Sequence, residues 1–313
     1  MDKDGKNRTA VCCLSSLNIE TYDEWKDEKN FIEDVMRFLD NVLTEFIDKA
    51  PDTFKDAKYS AMRERSVGLG VMGFHSFLQK KSVPLESAMS KNWNNKIFKH
   101  MQKNVDESSK KLADERGSCP DAEEYGFKER FSNKTAIAPT ASISIICGGA
   151  SPGVEPVAAN SYTHKTLSGS YNVRNRYLQK LLEKHDKNDE ETWSTITTNQ
   201  GSVSHLNFLT DHEKDVFKTA FEIDQRWIVE LGSDRTSYIS QAQSINIFLP
   251  ADVHKKELHQ IHFQAWKKGL KSLYYCRSKS IQRAENVNDG LSTAETRNKL
   301  NQSLEDDECL SCQ

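Results

Sequence analysis

Residues 134–149 read KTAIAPTASISIICGG, and the fold is read outward from them. Lys134 to Pro139 forms a short β-leaning run. It passes directly into Thr140 to Cys147, and Gly148-Gly149 supplies a stop of the kind that ends a helix. Small and hydroxyl-bearing residues at a strand-to-helix passage leave backbone N–H groups open at a helix N-terminus, an arrangement that suits a phosphate. Taken alone, the same residues read more readily as an ordinary N-cap by Thr140 or Ser142.

The pattern on either side is similar. Thr9 to Ile19 (TAVCCLSSLNI) is apolar and reads as a buried strand. From Thr21 to Lys49, Phe31, Val35, Leu39, Val42 and Phe46 recur at helical spacing. Ser66 to Leu78 (SVGLGVMGFHSFL) predicts a strand or turn feeding a helix. Residues 92–116 predict a helix with Ile97, Met101, Val105 and Leu112 on one face. Further helical patterns fall at 175–186 and 211–231. Ser244 to Leu249 predicts a strand, Asp252 to Leu270 an amphipathic helix, and Ser272 to Cys276 another strand. Strands alternating with helices argue for an α/β barrel or sheet. After Ser278 the chain is rich in Asn, Asp, Glu, Ser and Gln. It lacks the apolar area to offset its ordering entropy and reads as a flexible tail over 279–313.

With 313 residues the chain can bury a real core, and its net charge of −3 argues against a nucleic-acid partner. No stretch has the apolar length of a membrane span. Met1 to Arg8 is polar and lacks the apolar centre of a secretory signal, so a cytoplasmic location is expected. Seven cysteines, an odd number, do not read as an extracellular disulfide framework. Two clusters exist, Cys12-Cys13 near the beginning and Cys309 with Cys312 at the end.

Cys309 and Cys312 form a CxxC in the tail. Such a pair can close a disulfide, and on a mobile end it can exchange with another disulfide. The competing reading is half a zinc site, for which two further ligands are missing nearby. Cys12 and Cys13 on a strand would face opposite sides, so at most one addresses a given site. On composition alone both read as buried small apolar residues. Tyr274-Tyr275 on a strand would diverge and be structural; stacked in an irregular segment, they could pass an electron and a proton. His254, His259 and His262 read as solvated or capping residues.

Taken in order, these segments resemble the large, catalytic subunit of class I ribonucleotide reductases. The stretch from Thr9 to Asn18 resembles the strand carrying one of the two reducing cysteines, which places that cysteine at Cys12; Cys13 stands where another residue is usual. Arg65 to Phe74 is similar to a glycine-rich segment of the same barrel, and Ala138 to Ser142 to the substrate-phosphate loop. Asp224 to Leu249 also resembles the family. Trp266 to Tyr275 is similar to the region ending in the paired tyrosines of the radical pathway, and Cys309 and Cys312 to the tail cysteines.

The resemblance implies the C-terminal half of a ten-stranded α/β barrel over residues 1–278, followed by a redox tail. It implies reduction of ribonucleoside diphosphates, with Cys12, Tyr274, Tyr275, Cys309 and Cys312 catalytic and Pro139, Thr140, Ala141, Ser142 and Ile143 holding substrate phosphate. It implies no metal or cofactor in this chain. A metal–tyrosyl radical centre is expected in a separate small subunit, and thioredoxin or glutaredoxin as reductant. The family's Asn-x-Cys-x-Glu segment, whose cysteine becomes the thiyl radical, is absent. A split large subunit is therefore expected, with an N-terminal fragment as partner and no activity of the chain alone. A half barrel would expose strand edges and self-associate. The rival reading is a non-catalytic remnant that binds the small subunit or regulates assembly.

Overall fold

A computed structural model describes residues 3–166 and 169–278. The tail, with Cys309 and Cys312, lies outside the described residues. The framework is a succession of parallel segments that are neighbours in space in the order in which they occur in the chain. β1 (Leu14–Asn18) pairs with β2 (Gly68–Met72), Leu14 lying opposite Gly68. Residues 134–137 follow: the Leu69 N–H donates to the Lys134 carbonyl at 2.9 Å, and a parallel bridge joins Leu69 to Thr135. The Ile137 N–H then donates to the Ala242 carbonyl at 3.1 Å, which brings in a fourth segment.

An antiparallel hairpin of β3 (Ser161–Thr166) and β4 (Gly169–Arg174) is inserted between the third and fourth segments. The fourth segment continues into β5 (Ile247–Leu249), which pairs in parallel with β6 (Cys276–Ser278). Parallel neighbours need long crossovers. Helices supply them, including Phe31–Lys49 and Lys55–Glu64 between β1 and β2 and Ala88–Arg116 after β2.

β2 is buried at every residue, as a parallel strand covered on both faces should be. Its Gly70 is a matter of space. A Cβ there would strike the backbone carbonyl oxygen of Ala136 on the third segment. Gly70→Ala is expected to part these two segments and cost at least about 2 kcal/mol, the scale of overpacking a core, as measured by a fall in thermal midpoint.

The main core runs from Cys13 to Ala265. Helix Phe31–Lys49 buries Ile32, Met36, Leu39 and Leu43, and packs on helix Ala88–Arg116, whose Ile97, Met101, Val105 and Leu112 face inward as expected. On the first helix the buried stripe is rotated from the expected one. Leu39 is shared, but Val42 is exposed and Phe31, Val35 and Phe46 are only partly buried. A second cluster, built on Leu178, Leu182, Trp193, Ile196 and Phe217, underlies the region of the hairpin.

Other boundaries also differ. The expected strand 9–19 is ordered as a ladder only from Leu14, and the strand expected at Ser272–Cys276 starts at Cys276. The expected helix 211–231 is two helices, Asp211–Val216 and Gln225–Thr236, because Asp224 caps the second by accepting from the Arg226 N–H. The hairpin was not anticipated. No helix among the described residues is long and apolar enough to cross a membrane.

Candidate active site

The stretch from Ala138 to Glu155 leaves the third segment and folds back over the C-terminal ends of β1 and β2. Thr140 takes a left-handed conformation (φ 52°), which is costly for a β-branched residue and calls for a compensating hold. Its Oγ1 accepts from the Gly153 N–H at 2.7 Å, and its carbonyl accepts from the Ser144 N–H at 3.0 Å. Ser151 anchors the return. Ser76 and Ser151 exchange hydrogen bonds, each hydroxyl accepting from the other's backbone N–H, and the Ser151 carbonyl accepts from Gly73 at 2.7 Å.

The helix inside this loop is a single turn, Ile143–Ile146, and the positive φ of Gly148 and Gly149 ends it. Ser142 makes no side-chain cap and Thr140 is committed to Gly153, so the ordinary N-cap is not what these residues form. The N–H groups of Ser144 to Cys147 are engaged within the loop. Those of Ala141, Ser142 and Ile143 find no backbone acceptor among the described residues.

Four residues not singled out in the sequence steady the loop from below. The Asn18 side-chain amide reaches the Cys147 carbonyl at 3.4 Å. Arg176 donates to the Gly148 carbonyl and pairs with buried Glu20 at 3.3 Å. Tyr177 donates to the same carboxylate. Only Arg176, beginning a helix after an Asn cap, carried any local sign in the sequence, and nothing there tied it to residue 148.

Tyr274 and Tyr275 lie in the irregular segment just before β6, with ring centroids 4.2 Å apart and planes at 55°. The Tyr274 N–H donates to the Ile245 carbonyl (2.8 Å), the Tyr275 N–H to the Asn246 Oδ1 (3.0 Å), and the Ile247 N–H to the Tyr275 carbonyl (2.9 Å). The two rings therefore meet in an irregular segment, tilted against each other, and do not diverge across a strand. Both side chains are well exposed, and a hydrogen bond with Tyr275 pushes the Tyr274 phenol up from its usual range. The Arg277 guanidinium lies over the Tyr275 ring.

Cys12 is exposed and Cys13 is buried, as opposite facing requires. The Cys13 sulfur sits 3.8 Å from the Leu39 carbonyl, burial pushes its thiol up, and its own carbonyl accepts from Gly68. Cys12 is the accessible thiol. It precedes β1, whereas the Thr140 loop follows the other end of the third segment. No hydrogen bond among the described residues joins Cys12 to that loop or to the tyrosine pair. His254 caps its helix by accepting from Lys256, as expected, and no cluster of three metal-binding side chains occurs among the described residues.

A family model described as ribonucleotide reductase, barrel domain, matches residues 1–129 and 121–276. The chain belongs to this ribonucleotide reductase family. It is 52% identical over 284 residues to the ribonucleoside-diphosphate reductase large subunit of Invertebrate iridescent virus 6, covering 90% of this chain and 29% of the relative. It is 45% identical to the large subunit of Invertebrate iridescent virus 3, covering 93% of this chain and 46% of the relative. Among solved structures it resembles the Actinobacillus ureae class Id ribonucleotide reductase alpha subunit, with a TM-score of 0.82 and 40% identity over 88% of this chain and 51% of that one. The chain thus spans about half or less of the reductase subunits it matches, and its parallel segments are part of the reductase α/β barrel.

Proposed function

We propose that this chain is the C-terminal portion of a ribonucleoside-diphosphate reductase large subunit. It works in the cytoplasm with an N-terminal large-subunit portion, a small subunit and a thioredoxin or glutaredoxin. The observation that carries the reading is the tyrosine pair: two phenol rings in contact, with centroids 4.2 Å apart, exposed, at the entrance to the last parallel strand.

A metal–tyrosyl centre in the small subunit would supply the oxidising equivalent. Tyr275 gives up an electron and its phenolic proton, then recovers a hydrogen atom from Tyr274. Tyr274 in turn takes one from the thiol of a cysteine on the N-terminal portion. That thiyl radical removes the 3′ hydrogen of the ribose. Cys12 and a second cysteine of the N-terminal portion supply two electrons and two protons, the 2′ oxygen leaves as water, and a disulfide forms between them. The open N–H groups of Ala141, Ser142 and Ile143, on a turn set by Pro139 and Thr140, are suited to the substrate phosphates. The Cys309 and Cys312 dithiol reduces the spent disulfide by exchange and becomes a disulfide itself, for thioredoxin to reduce.

The test combines this chain with large-subunit N-terminal portions and a small subunit and assays diphosphate reduction. Activity in the mixture and none in the separate parts is expected. In the active mixture Cys309→Ser should lose thioredoxin-driven turnover and keep turnover with a small dithiol. Binding of the small subunit with no reduction under any combination would favour the non-catalytic remnant.

A further inference from the structure

Glu155 ends the stretch that carries the phosphate loop, and its carboxyl reaches toward the segment that holds the tyrosine pair. Its carboxyl is buried, with 6% exposure. Oε1 accepts from the backbone N–H of Asn246 at 3.2 Å, and the Asn246 side-chain amide lies against the same carboxyl. Asn246, itself buried, turns its Oδ1 to the Tyr275 N–H at 3.0 Å. The chemistry of an amide makes this a directional chain. If the NH2 end of Asn246 faces a carboxylate, its oxygen must face away, toward Tyr275. On the other side Glu155 is two residues from Gly153, whose N–H holds the Thr140 hydroxyl.

Resting on the reductase reading, we propose that Glu155 is the positioning residue for Tyr275: through the fixed orientation of the Asn246 amide it sets the backbone that carries the paired phenols. A buried carboxyl needs a reason to be retained, because burying one costs free energy unless it is well partnered. Here burial pushes Glu155 up to about 7, against the lowering effect of the Asn246 hydrogen bonds and the charge of Arg277. Arg277 on β6 is the charged neighbour acting on it, and Asn246 on the fourth segment is uncharged. The ionised carboxylate can accept from the Asn246 backbone N–H, as it does here, and still offers an acceptor to the Asn246 amide group. The protonated form presents a hydroxyl in place of one acceptor and leaves Asn246 free to turn.

Glu155→Gln tests this, because it keeps shape and volume and replaces one acceptor by an NH2 group. That group repels the Asn246 NH2 and favours the flipped amide, which cannot accept from Tyr275. Amide hydrogen exchange of this chain, read at Tyr275 with the β1–β2 amides as a control for folding, should accelerate at least about tenfold at Tyr275 and stay unchanged in the control. In the assembled enzyme kcat should fall at least about tenfold with KM for the diphosphate unchanged. On the unmutated chain, Tyr275 protection corrected for intrinsic exchange should fall as pH drops through about 7.

Unchanged Tyr275 exchange in the variant, or a wild-type protection that ignores pH, overturns the positioning role. Faster exchange with full kcat overturns its place in catalysis. An assembled wild type that never reduces nucleotides would instead sink the reductase reading, while the exchange data still decide the Glu155–Asn246–Tyr275 link.

Discussion

Tyr274→Phe in the assembled reductase is expected to lower diphosphate reduction at least about a hundredfold, a barrier increase of about 3 kcal/mol or more, with substrate binding unchanged. The reason is chemical and not steric. Phenylalanine keeps the ring, so the contact at 4.2 Å and the packing before β6 survive. The backbone hold survives too, since the Tyr274 N–H bonds to the Ile245 carbonyl irrespective of side chain. What disappears is the O–H. Without it there is no proton to release with the electron and no hydrogen bond with Tyr275, the contact that pushes the Tyr274 phenol up. A relay with one member unable to be oxidised stops, and every step that depends on the ribose radical stops with it. The measurement is steady-state turnover of the variant in complex, paired with nucleotide binding by equilibrium dialysis. Turnover within twofold of wild type would remove Tyr274 from the pathway, and lost turnover with lost nucleotide binding would mark a folding defect instead.

The parts of this molecule that a sequence exposes are those set by local chemistry. The face of Ala88–Arg116 was legible because Ile97, Met101, Val105 and Leu112 recur at helical spacing on a long helix. The alternation that sends Cys12 outward and Cys13 inward is already present just before β1, where one is exposed and the other buried. On helix Phe31–Lys49 the periodic apolar set was wider than one face, and only packing against Ala88–Arg116 chose Ile32, Met36, Leu39 and Leu43. The break between Val216 and Gln225 was missed because Asp224 acts through a cap, a single hydrogen bond that outweighs a continuing apolar pattern. The hairpin Ser161–Arg174 carries no two-residue turn signature of the Asn-Gly kind. For the site, the Ala138–Ser142 and Tyr274–Tyr275 segments were visible as motifs. Their supports were not, because Glu20, Asn18, Arg176 and Glu155 act across large sequence separations. Whether the tyrosines diverge or meet turned on where β6 begins, one residue after Tyr275, and boundaries of that kind depend on pairing with β5.

Asp40→Ala should be among the most destabilising single changes in this chain, by about 3–5 kcal/mol, the cost of breaking a buried ion pair from one side. Asp40 is fully buried in helix Phe31–Lys49 and gathers three arginines. Arg65 donates from Nη2 at 2.7 Å and from Nε at 2.9 Å, Arg130 from Nε at 2.9 Å, and Arg116 from Nη1 at 2.7 Å. Arg65 leads into β2 and Arg130 into the third segment, so the one carboxylate ties a helix to two neighbouring segments of the sheet. Removing it leaves the buried guanidinium groups of Arg65 and Arg130 facing each other without an anion. Burial by itself would push the Asp40 carboxyl up; the hydrogen bonds from Arg130 and Arg116 and the charge of Arg65 outweigh that and hold it below the usual aspartate range. A depressed folded-state pKa means stability that is present above the unfolded value of about 4 and is lost as pH falls through the lower folded value. The wild type should therefore lose a share of its stability on acidification below about pH 4 that Asp40→Ala, already without it, does not lose. Thermal midpoints of both proteins across that range decide the matter. Parallel curves separated by under about 1 kcal/mol would show that solvent, and not Asp40, balances these arginines.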